Sequence, residues 1–268
     1  YSSEFAGKED KLLTALKKLG FCEISETAIG AALVTQALDI YASEHDGKCP
    51  FIGTACPSVV ELVKKYYPEE ISNLAPVPSP LQSHSAYLRS LGDEDIVIVF
   101  IGPCIAKKME ADLTPGYPDL AITFDELRSW LEEEDIDLDK IKAEDVRFFP
   151  KKAGISSLYP VEGGQIRSSA IWGHETSLQP DAISMAGVEN IMSSIADIDS
   201  STPFLELLSC EGGCVNGPGI SKKGSLAERK RLSALWTEKR LAEDDLFEGD
   251  EAFARKLLKE GYGLLHSE

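Results

Sequence analysis

The sequence predicts an α/β protein in which short strands lead into loops and then into helices. Three stretches carry this pattern: an apolar run over 50–54, a β-branched run over 95–101 and an apolar run over 204–209. Each is short enough for a strand, and each leads into a loop that combines cysteine with Gly or Pro. Ligands of open α/β sheets bind at the carboxyl ends of the strands. We therefore expect the cysteine-bearing loops to converge on one crevice.

The remaining elements follow from residue spacing and from end signals. Thr123 and Glu126 form a capping box, which commonly starts a helix, and the β-branched residues of 95–101 occupy both faces, as in a strand buried on both sides. The other predicted elements are a helix over 8–21, a weaker helix over 27–44, a helix from Pro57 to Pro68, a strand over 120–123, a helix from Thr123 to Leu131, a helix opening at Gly163–Gly164 and a helical tail from Ser225 onward.

The composition excludes some classes of protein. The chain has 27 basic and 45 acidic residues and a formal net charge of −18, so it lacks the positive charge that phosphate binding needs. No apolar run approaches the roughly 20 residues that span a bilayer, and the first residues have no signal-peptide pattern. We expect a soluble, cytoplasmic protein with no nucleic-acid partner and no membrane span. Because the sequence begins at Tyr1 rather than Met, we also expect residues upstream.

The six cysteines are too few and too scattered for the disulfide framework of a secreted protein, so we interpret them as intracellular thiols. Cys22 follows an apolar helix and is expected to be a small buried hydrophobe. For Cys49, a packing or surface role is favoured over metal binding. The other four lie in loops beside Gly or Pro: Cys56, Cys104, Cys210 and Cys214.

These four thiols suit an iron–sulfur cluster. Three loops supply them, and Gly212–Gly213 lets the backbone between Cys210 and Cys214 curl around an inorganic sulfide. Zinc is the alternative, but structural zinc sites usually contain two closely spaced pairs of ligands. Only one such pair is present, so the spacing favours the cluster while zinc stays open.

The segments around these cysteines resemble the three active-site signatures of the iron-only ([FeFe]) hydrogenase large-subunit domain. The matching segments are Thr54–Pro57, Gly102–Ala111 and Glu206–Gly219. The resemblance implies two α/β lobes with small, mostly parallel sheets flanked by helices, and an iron–sulfur site in the cleft between them. It also implies an H-cluster domain over 1–220 and a helical C-terminal extension over 221–268.

In that family, four cysteines bind the [4Fe–4S] part of the H-cluster. The ligands implied in this sequence are Cys56, Cys104, Cys210 and Cys214. By the same resemblance, Cys214 also bridges to a diiron subcluster that carries CO and cyanide. The resemblance further implies that Lys107 is a catalytic residue that donates to a cyanide, since a cation suits an anionic ligand in a buried pocket. Pro103 completes the expected cofactor-binding residues.

Several residues depart from the family pattern around the intact cysteines. Ala55 replaces the cysteine that relays protons, Ala75 replaces the relay serine, and a methyl group carries no proton. The helix expected to supply relay carboxylates has none over 33–38. Three further positions differ, because methionines are replaced at Gly102 and Leu208 and a glutamine at Leu81. The ligands are therefore kept, whereas the residues that tune the metal and move protons are changed.

Two functions follow from this combination. The first is a divergent, sensory type of [FeFe]-hydrogenase-like protein that binds an H-cluster and activates or senses hydrogen with low turnover, which the retained Lys107 favours. The alternative is a non-catalytic [4Fe–4S] relative for electron transfer or iron–sulfur assembly, which the lost relay residues favour. A zinc-stabilised interaction module is a third. The implied partners are hydrogen, protons and a redox partner such as ferredoxin or an upstream iron–sulfur domain.

Overall fold

The computed structural model describes residues 1–45, 52–92, 95–171, 181–199 and 201–265, and for 261–265 only the backbone. The helices are α1 Glu9–Lys18, α2 Ala28–Glu44, α3 Pro57–Tyr66, α4 Pro80–Ser90, α5 Ala106–Leu113, α6 Phe124–Glu133, α7 Gly164–Ser168, α8 Val188–Ala196, α9 Leu226–Leu241 and α10 Glu251–Leu265. The strands are β1 Val99–Gly102, β2 Leu120–Thr123, β3 Lys152–Ala153, β4 Ala182–Ala186, β5 Phe204–Leu208 and β6 Leu246–Phe247. The predicted α/β class is confirmed.

The strands pair in parallel, as the fold class predicts. β1 pairs with β2 and β4 pairs with β5, and in each case a helix connects the two strands, α5 in the first pair and α8 in the second. Ile52 bridges both Leu74 and Leu205, so the segment before α3 extends the β4–β5 sheet. Parallel strands need such crossover connections, and the crossovers bring the ends of the strands to the same edge.

Each of these two sheets has its own apolar core. The β4–β5 lobe buries Val59 and Val63 of α3 and Ile191 of α8 against the sheet. In the β1–β2 lobe, Leu12 of α1 and Leu127 of α6 are buried in one apolar cluster. The chain therefore folds into two lobes, and the loops that follow β1 and β5 lie between them.

The C-terminal segment after Ile220 packs against both the middle and the start of the chain. β6 pairs in parallel with β3, and α10 places Ala254 and Leu257 in cores shared with α2. In α9, Arg240 is buried, with its guanidinium 3.2 Å from a carboxylate oxygen of Glu26. A domain boundary near residue 220 stays a prediction. These contacts nevertheless show that the C-terminal segment packs against α2.

The local sequence signals predict β2 and α6 well and β1 less well. β2 covers 120–123, and the Thr123–Glu126 capping box is present. β1 begins only at Val99, because the backbone before it is bound by side chains: Ile98 N donates to Asp119 and Ile96 O accepts from Arg89. Three of its four residues are partly exposed, so the predicted burial on both faces is wrong for β1, whereas β5 is fully buried.

None of the described helices is long and apolar enough to cross a membrane. The cytoplasmic location stays a prediction.

Candidate iron–sulfur site

The loops between the two lobes bring the four predicted thiols to one cavity. Cys56 caps the start of α3, and the other three thiols follow β1 and β5 or open the turn over 214–216. The thiols in the wall of this cavity are Cys56, Cys104, Cys210 and Cys214. The expected convergence of three cysteine loops on one crevice is present in the structure.

The loop between Cys210 and Cys214 depends on its two glycines. Gly212 and Gly213 have φ angles of 74° and 98°, in the left-handed region that side chains disfavour. A Cβ at Gly213 would lie 2.5 Å from the carbonyl oxygen of Pro160. The loop can therefore curl tightly against the neighbouring segment only with glycine at this position.

Burial and mutual proximity raise the pKa values of three thiols in the cavity wall. Burial is the largest cause for Cys104, Cys210 and Cys214, and neighbouring cysteines add to it. The effect is greatest at Cys214, and the positive charge of Lys107 lowers the pKa values of Cys104 and Cys214 in part. Such thiols become thiolates when positively charged metal lies beside them. The donor set therefore fits a cationic metal group.

The arrangement suits several metal atoms better than one. Four thiols line one cavity. In a [4Fe–4S] cluster, each of four thiolates binds a different iron. Four soft thiols from three loops match that requirement. Cys56 Sγ also lies 3.3 Å from the hydroxyl of Ser209, a neighbour that the sequence did not indicate.

Lys107 lies behind the cysteine cavity in a buried polar cluster. Its ammonium donates to a carboxylate oxygen of Glu110 at 2.6 Å, to the hydroxyl of Ser79 at 3.1 Å and to the carbonyl oxygen of Ala55 at 3.4 Å. A lysine ammonium has three hydrogens, so each has an acceptor in the protein. Lys107 is not among the residues that line the cavity, and neither is Pro103.

Pro103 contributes through its backbone. Its carbonyl oxygen accepts a hydrogen bond of 2.9 Å from the amide of Gly219. That bond ties the loop before Cys104 to the segment after Cys214. Pro103 therefore connects two of the ligand loops, and a direct contact with a cofactor stays a prediction.

Comparison with protein families decides what this fold and site are. The family described as iron only hydrogenase large subunit, C-terminal domain, matches residues 2–218. The chain belongs to this family.

Curated relatives agree with the iron-only hydrogenase family. Iron hydrogenase 1 of Clostridium pasteurianum is 27% identical over 78% of this chain and 45% of its own length. The periplasmic [Fe] hydrogenase large subunit of Nitratidesulfovibrio vulgaris is 24% identical over 78% of this chain and 62% of its own length. The chain thus spans roughly half the length of these relatives.

Solved structures of [FeFe]-hydrogenases share the fold. One, an [FeFe]-hydrogenase described in a study of stepwise H-cluster assembly, has a TM-score of 0.65 at 18% identity, with 95% of this chain and 82% of that chain covered. A variant of an [FeFe]-hydrogenase from Chlamydomonas reinhardtii has a TM-score of 0.63 at 16% identity, with 98% and 87% covered. The two-lobed α/β architecture is therefore that of [FeFe]-hydrogenases.

Several residues that depart from the hydrogenase pattern have clear surroundings. Ala75 is fully buried in an apolar core, together with Ala37 and Leu38 of α2. Gly102 lies against the ring of Phe100, which takes the space that a side chain at residue 102 would need. Leu208 lines the cysteine cavity. The positions expected to hold polar or thioether groups are thus filled by hydrocarbon.

Of the two remaining cysteines, one differs from expectation. Cys22 is exposed and lies after α1 ends, so its predicted burial is wrong. Its backbone carbonyl accepts a hydrogen bond from Lys17. The glycine stop at Gly20 turns the chain outward before the thiol is reached. Cys49 lies outside the described residues.

Glu206 is a buried acid in this hydrogenase fold that the analysis of the sequence did not single out. It lies in the middle of β5 and is 2% exposed. Burial raises its pKa from 4.5 to about 7, although the amides of Gln165 and Ile166 donate to its carboxylate and lower the pKa in part. The signal was available, since Glu206 is the one charged residue in the apolar run 204–208.

The raised pKa of Glu206 predicts a pH-dependent stability. Between pH 4.5 and 7 the folded protein binds more protons at this site than the unfolded chain, so the free energy of unfolding should fall as the pH rises. The shift corresponds to about 3 kcal/mol at most. Urea unfolding at pH 5 and pH 8 should show a smaller difference in Glu206→Gln than in wild type. The matched control is the exposed Glu238→Gln, and an unchanged pH dependence in Glu206→Gln would contradict the assignment.

Proposed function

We propose that this chain is an [FeFe]-hydrogenase-like iron–sulfur protein that binds an H-cluster and activates or senses hydrogen with low turnover. The observation that carries the proposal is the single cavity whose wall contains four thiols from three loops. Membership of the iron-only hydrogenase family supports it. Hydrogen and protons are the proposed substrates, and a ferredoxin or an iron–sulfur domain is the proposed redox partner.

Four cysteines would hold the [4Fe–4S] part of the cofactor: Cys56, Cys104, Cys210 and Cys214. Lys107 would bind the diiron part, with Pro103 beside it. When bound, the H-cluster would supply the metal centre at which hydrogen is split or formed. Of its three hydrogen bonds, Lys107 can most readily exchange the one to the carbonyl oxygen of Ala55 for a hydrogen bond to a new acceptor. At 3.4 Å that bond is the longest of the three.

The low turnover is proposed from the surroundings of the two replaced relay residues. Ala55 offers only a methyl group and its backbone carbonyl, and Ala75 is 0% exposed within hydrocarbon. Protons move between titratable groups or water molecules, and a tightly packed apolar core provides neither. The route that depends on these two positions is therefore closed.

One observation favours the second candidate, a [4Fe–4S] protein without the diiron subcluster. The ammonium of Lys107 is already paired with Glu110, and both residues are 8% exposed. A buried ion pair is costly to separate, so Lys107 gains little from a further anionic partner. Electron transfer or iron–sulfur assembly would need only the cysteine cavity.

Substitution of Lys107 separates the two candidates. If the diiron subcluster binds, Lys107→Ala should keep the [4Fe–4S] cluster but weaken retention of the diiron unit by about one to two decades, the value of one charge-assisted hydrogen bond. The measurement is titration of cluster-loaded protein with a synthetic diiron complex, followed by the infrared bands of CO and cyanide. Because Lys107→Ala leaves Glu110 buried without its cation, the variant Lys107→Met/Glu110→Gln is titrated beside it.

The control is Lys108→Ala, since Lys108 is half-buried, is next to Lys107 in the sequence and pairs with Glu126. Equal uptake by wild type and both Lys107 variants would contradict the role of Lys107. If wild type takes up no diiron complex but keeps its [4Fe–4S] cluster, the second candidate is correct.

A further inference from the structure

Helix α9, from the C-terminal segment, lies directly over the loop that contains Cys210 and Cys214. A Cβ at Gly212 would lie 2.8 Å from Leu226 Cδ2 and 2.8 Å from Lys230 Cε. The first turns of α9 therefore touch the tip of this loop. Among the residues of those turns, Arg229 is only 5% exposed.

The guanidinium of Arg229 binds the chain immediately after Cys214. Its Nε donates to the carbonyl oxygen of Val215 at 2.9 Å, and its Nη2 donates to the side-chain oxygen of Asn216 at 2.7 Å. Its Nη1 donates to the carbonyl oxygen of Gly224 at 2.8 Å. One side chain thus joins the turn after Cys214 to the turn before α9.

Asn216 extends this connection back into the loop. Its side-chain amide donates to the carbonyl oxygen of Glu211 at 3.1 Å. Glu211 follows Cys210 directly, so the chain of hydrogen bonds from Arg229 through Asn216 reaches both ends of the loop. The five donors of a guanidinium have a fixed planar geometry, which makes arginine suited to holding several acceptors in place.

We propose that Arg229 is a positioning residue for the cluster site. Through its hydrogen bonds to Val215 and Asn216, Arg229 holds Cys210 and Cys214 at the spacing that cluster binding requires. This proposal rests on the proposed binding of a [4Fe–4S] cluster by these cysteines. By this proposal, α9 contributes a residue that positions two of the cysteine ligands. Residues that orient metal ligands typically change metal affinity by 10–100-fold when they are replaced.

The test compares two buried arginines of the same helix. Arg229→Met removes the hydrogen bonds to the loop, and Arg229→Lys keeps a charge but loses the planar donors. Arg240→Met is the matched control, because Arg240 is 3% exposed, binds Glu26 and lies against the rings of Phe148 and Trp236. Each protein is purified anaerobically, and its thermal midpoint, its cluster EPR spectrum and its rate of iron loss to a ferrous chelator are measured.

We expect Arg229→Met to lose iron 10–100-fold faster than wild type, with an altered EPR spectrum, and Arg229→Lys to recover only part of the loss. Arg240→Met should lower the thermal midpoint without changing either cluster property. Equal rates of iron loss in the two Met variants at matched thermal stability would overturn the proposal, since Arg229 would then act on folding alone.

A separate measurement keeps this proposal distinct from cluster binding itself. If the wild-type protein holds no cluster, the alkylation rates of the individual thiols are measured in the apo-protein. Arg229→Met should then speed alkylation at Cys210 and Cys214 and leave Cys56 unchanged, because the hydrogen bonds of Arg229 described above join the segment after Cys214 to the turn before α9 and do not involve the loop of Cys56. Unchanged rates at all three thiols would reject the positioning role even in a protein without a cluster.

Discussion

Alanine at Cys56 or at Cys210 should remove most of the bound iron and the visible absorption of the anaerobically purified protein. Cys56 and Cys210 are far apart in the sequence, but both lie in the wall of one cavity. A [4Fe–4S] cluster with a missing thiolate exposes one iron to solvent and to competing ligands. Non-covalent contacts with the protein cannot replace the lost metal–sulfur bond. Iron per chain, visible absorption and EPR of the reduced protein measure the loss.

Cys22→Ala is the matched control, because this thiol is exposed and lies outside the cavity. It should leave iron content and absorption unchanged. The ligand assignment would be wrong if Cys56→Ala and Cys210→Ala kept the wild-type absorption while substitution of Cys22 or Cys49 removed it.

Hydrogen turnover by the protein with an installed diiron unit should rise when a thiol is restored at residue 55. General acid–base relays typically contribute about 10² to 10⁴ in rate, so the unmodified chain should be slower than relay-bearing relatives by a factor in this range. Ala55→Cys places a group with a pKa near 8.5 beside Cys56. The measurement is hydrogen evolution with a chemical reductant, normalised to infrared-determined diiron content.

Ala55→Ser controls for size, since a serine hydroxyl is far too weak an acid to act as the thiol does. Ala55→Cys alone should recover only part of the deficit, because Ala75 remains buried in hydrocarbon; Ala55→Cys/Ala75→Ser should recover more. Rapid turnover by the unmodified protein would refute the closed route and indicate another path, for which Cys49 is a candidate.

The parts of the fold that depend on neighbouring residues could be predicted from the sequence. The Thr123–Glu126 capping box and the strand before it are set by local hydrogen bonding and by alternation of side chains. The capping box of α4, with Ser79 and Gln82, has the same local character but was not recognised. The start of β1 depends on Asp119 and Arg89, which lie outside the run 95–101, so its position could not be predicted from that run alone.

The convergence of the cysteine loops on one cavity was predictable from the sequence, whereas the ligand roles of the thiols stay a prediction. Cysteines beside glycine in loops indicate metal whatever the details of the packing, whereas the partner of Lys107 depends on which acceptor the fold supplies. The pairing of Lys107 with Glu110 could be predicted as one option, since residues three apart in a helix lie on the same side. The contact of Arg229 with Asn216 crosses an irregular loop, for which sequence spacing provides no rule.

If the cysteine cavity binds a cluster as proposed, iron supply would also affect the folding of the chain. Its thiols come from segments as far apart as Cys56 and Cys214, so a cluster would bind the folded chain and not the unfolded one, and its binding free energy would add to the stability of the fold. The site forms only after these distant segments have met, which is a slow step for contacts of high sequence separation. A chain that is still being synthesised therefore has no complete cluster-binding site. The cluster-loaded protein should resist proteolysis far longer than the apo-protein.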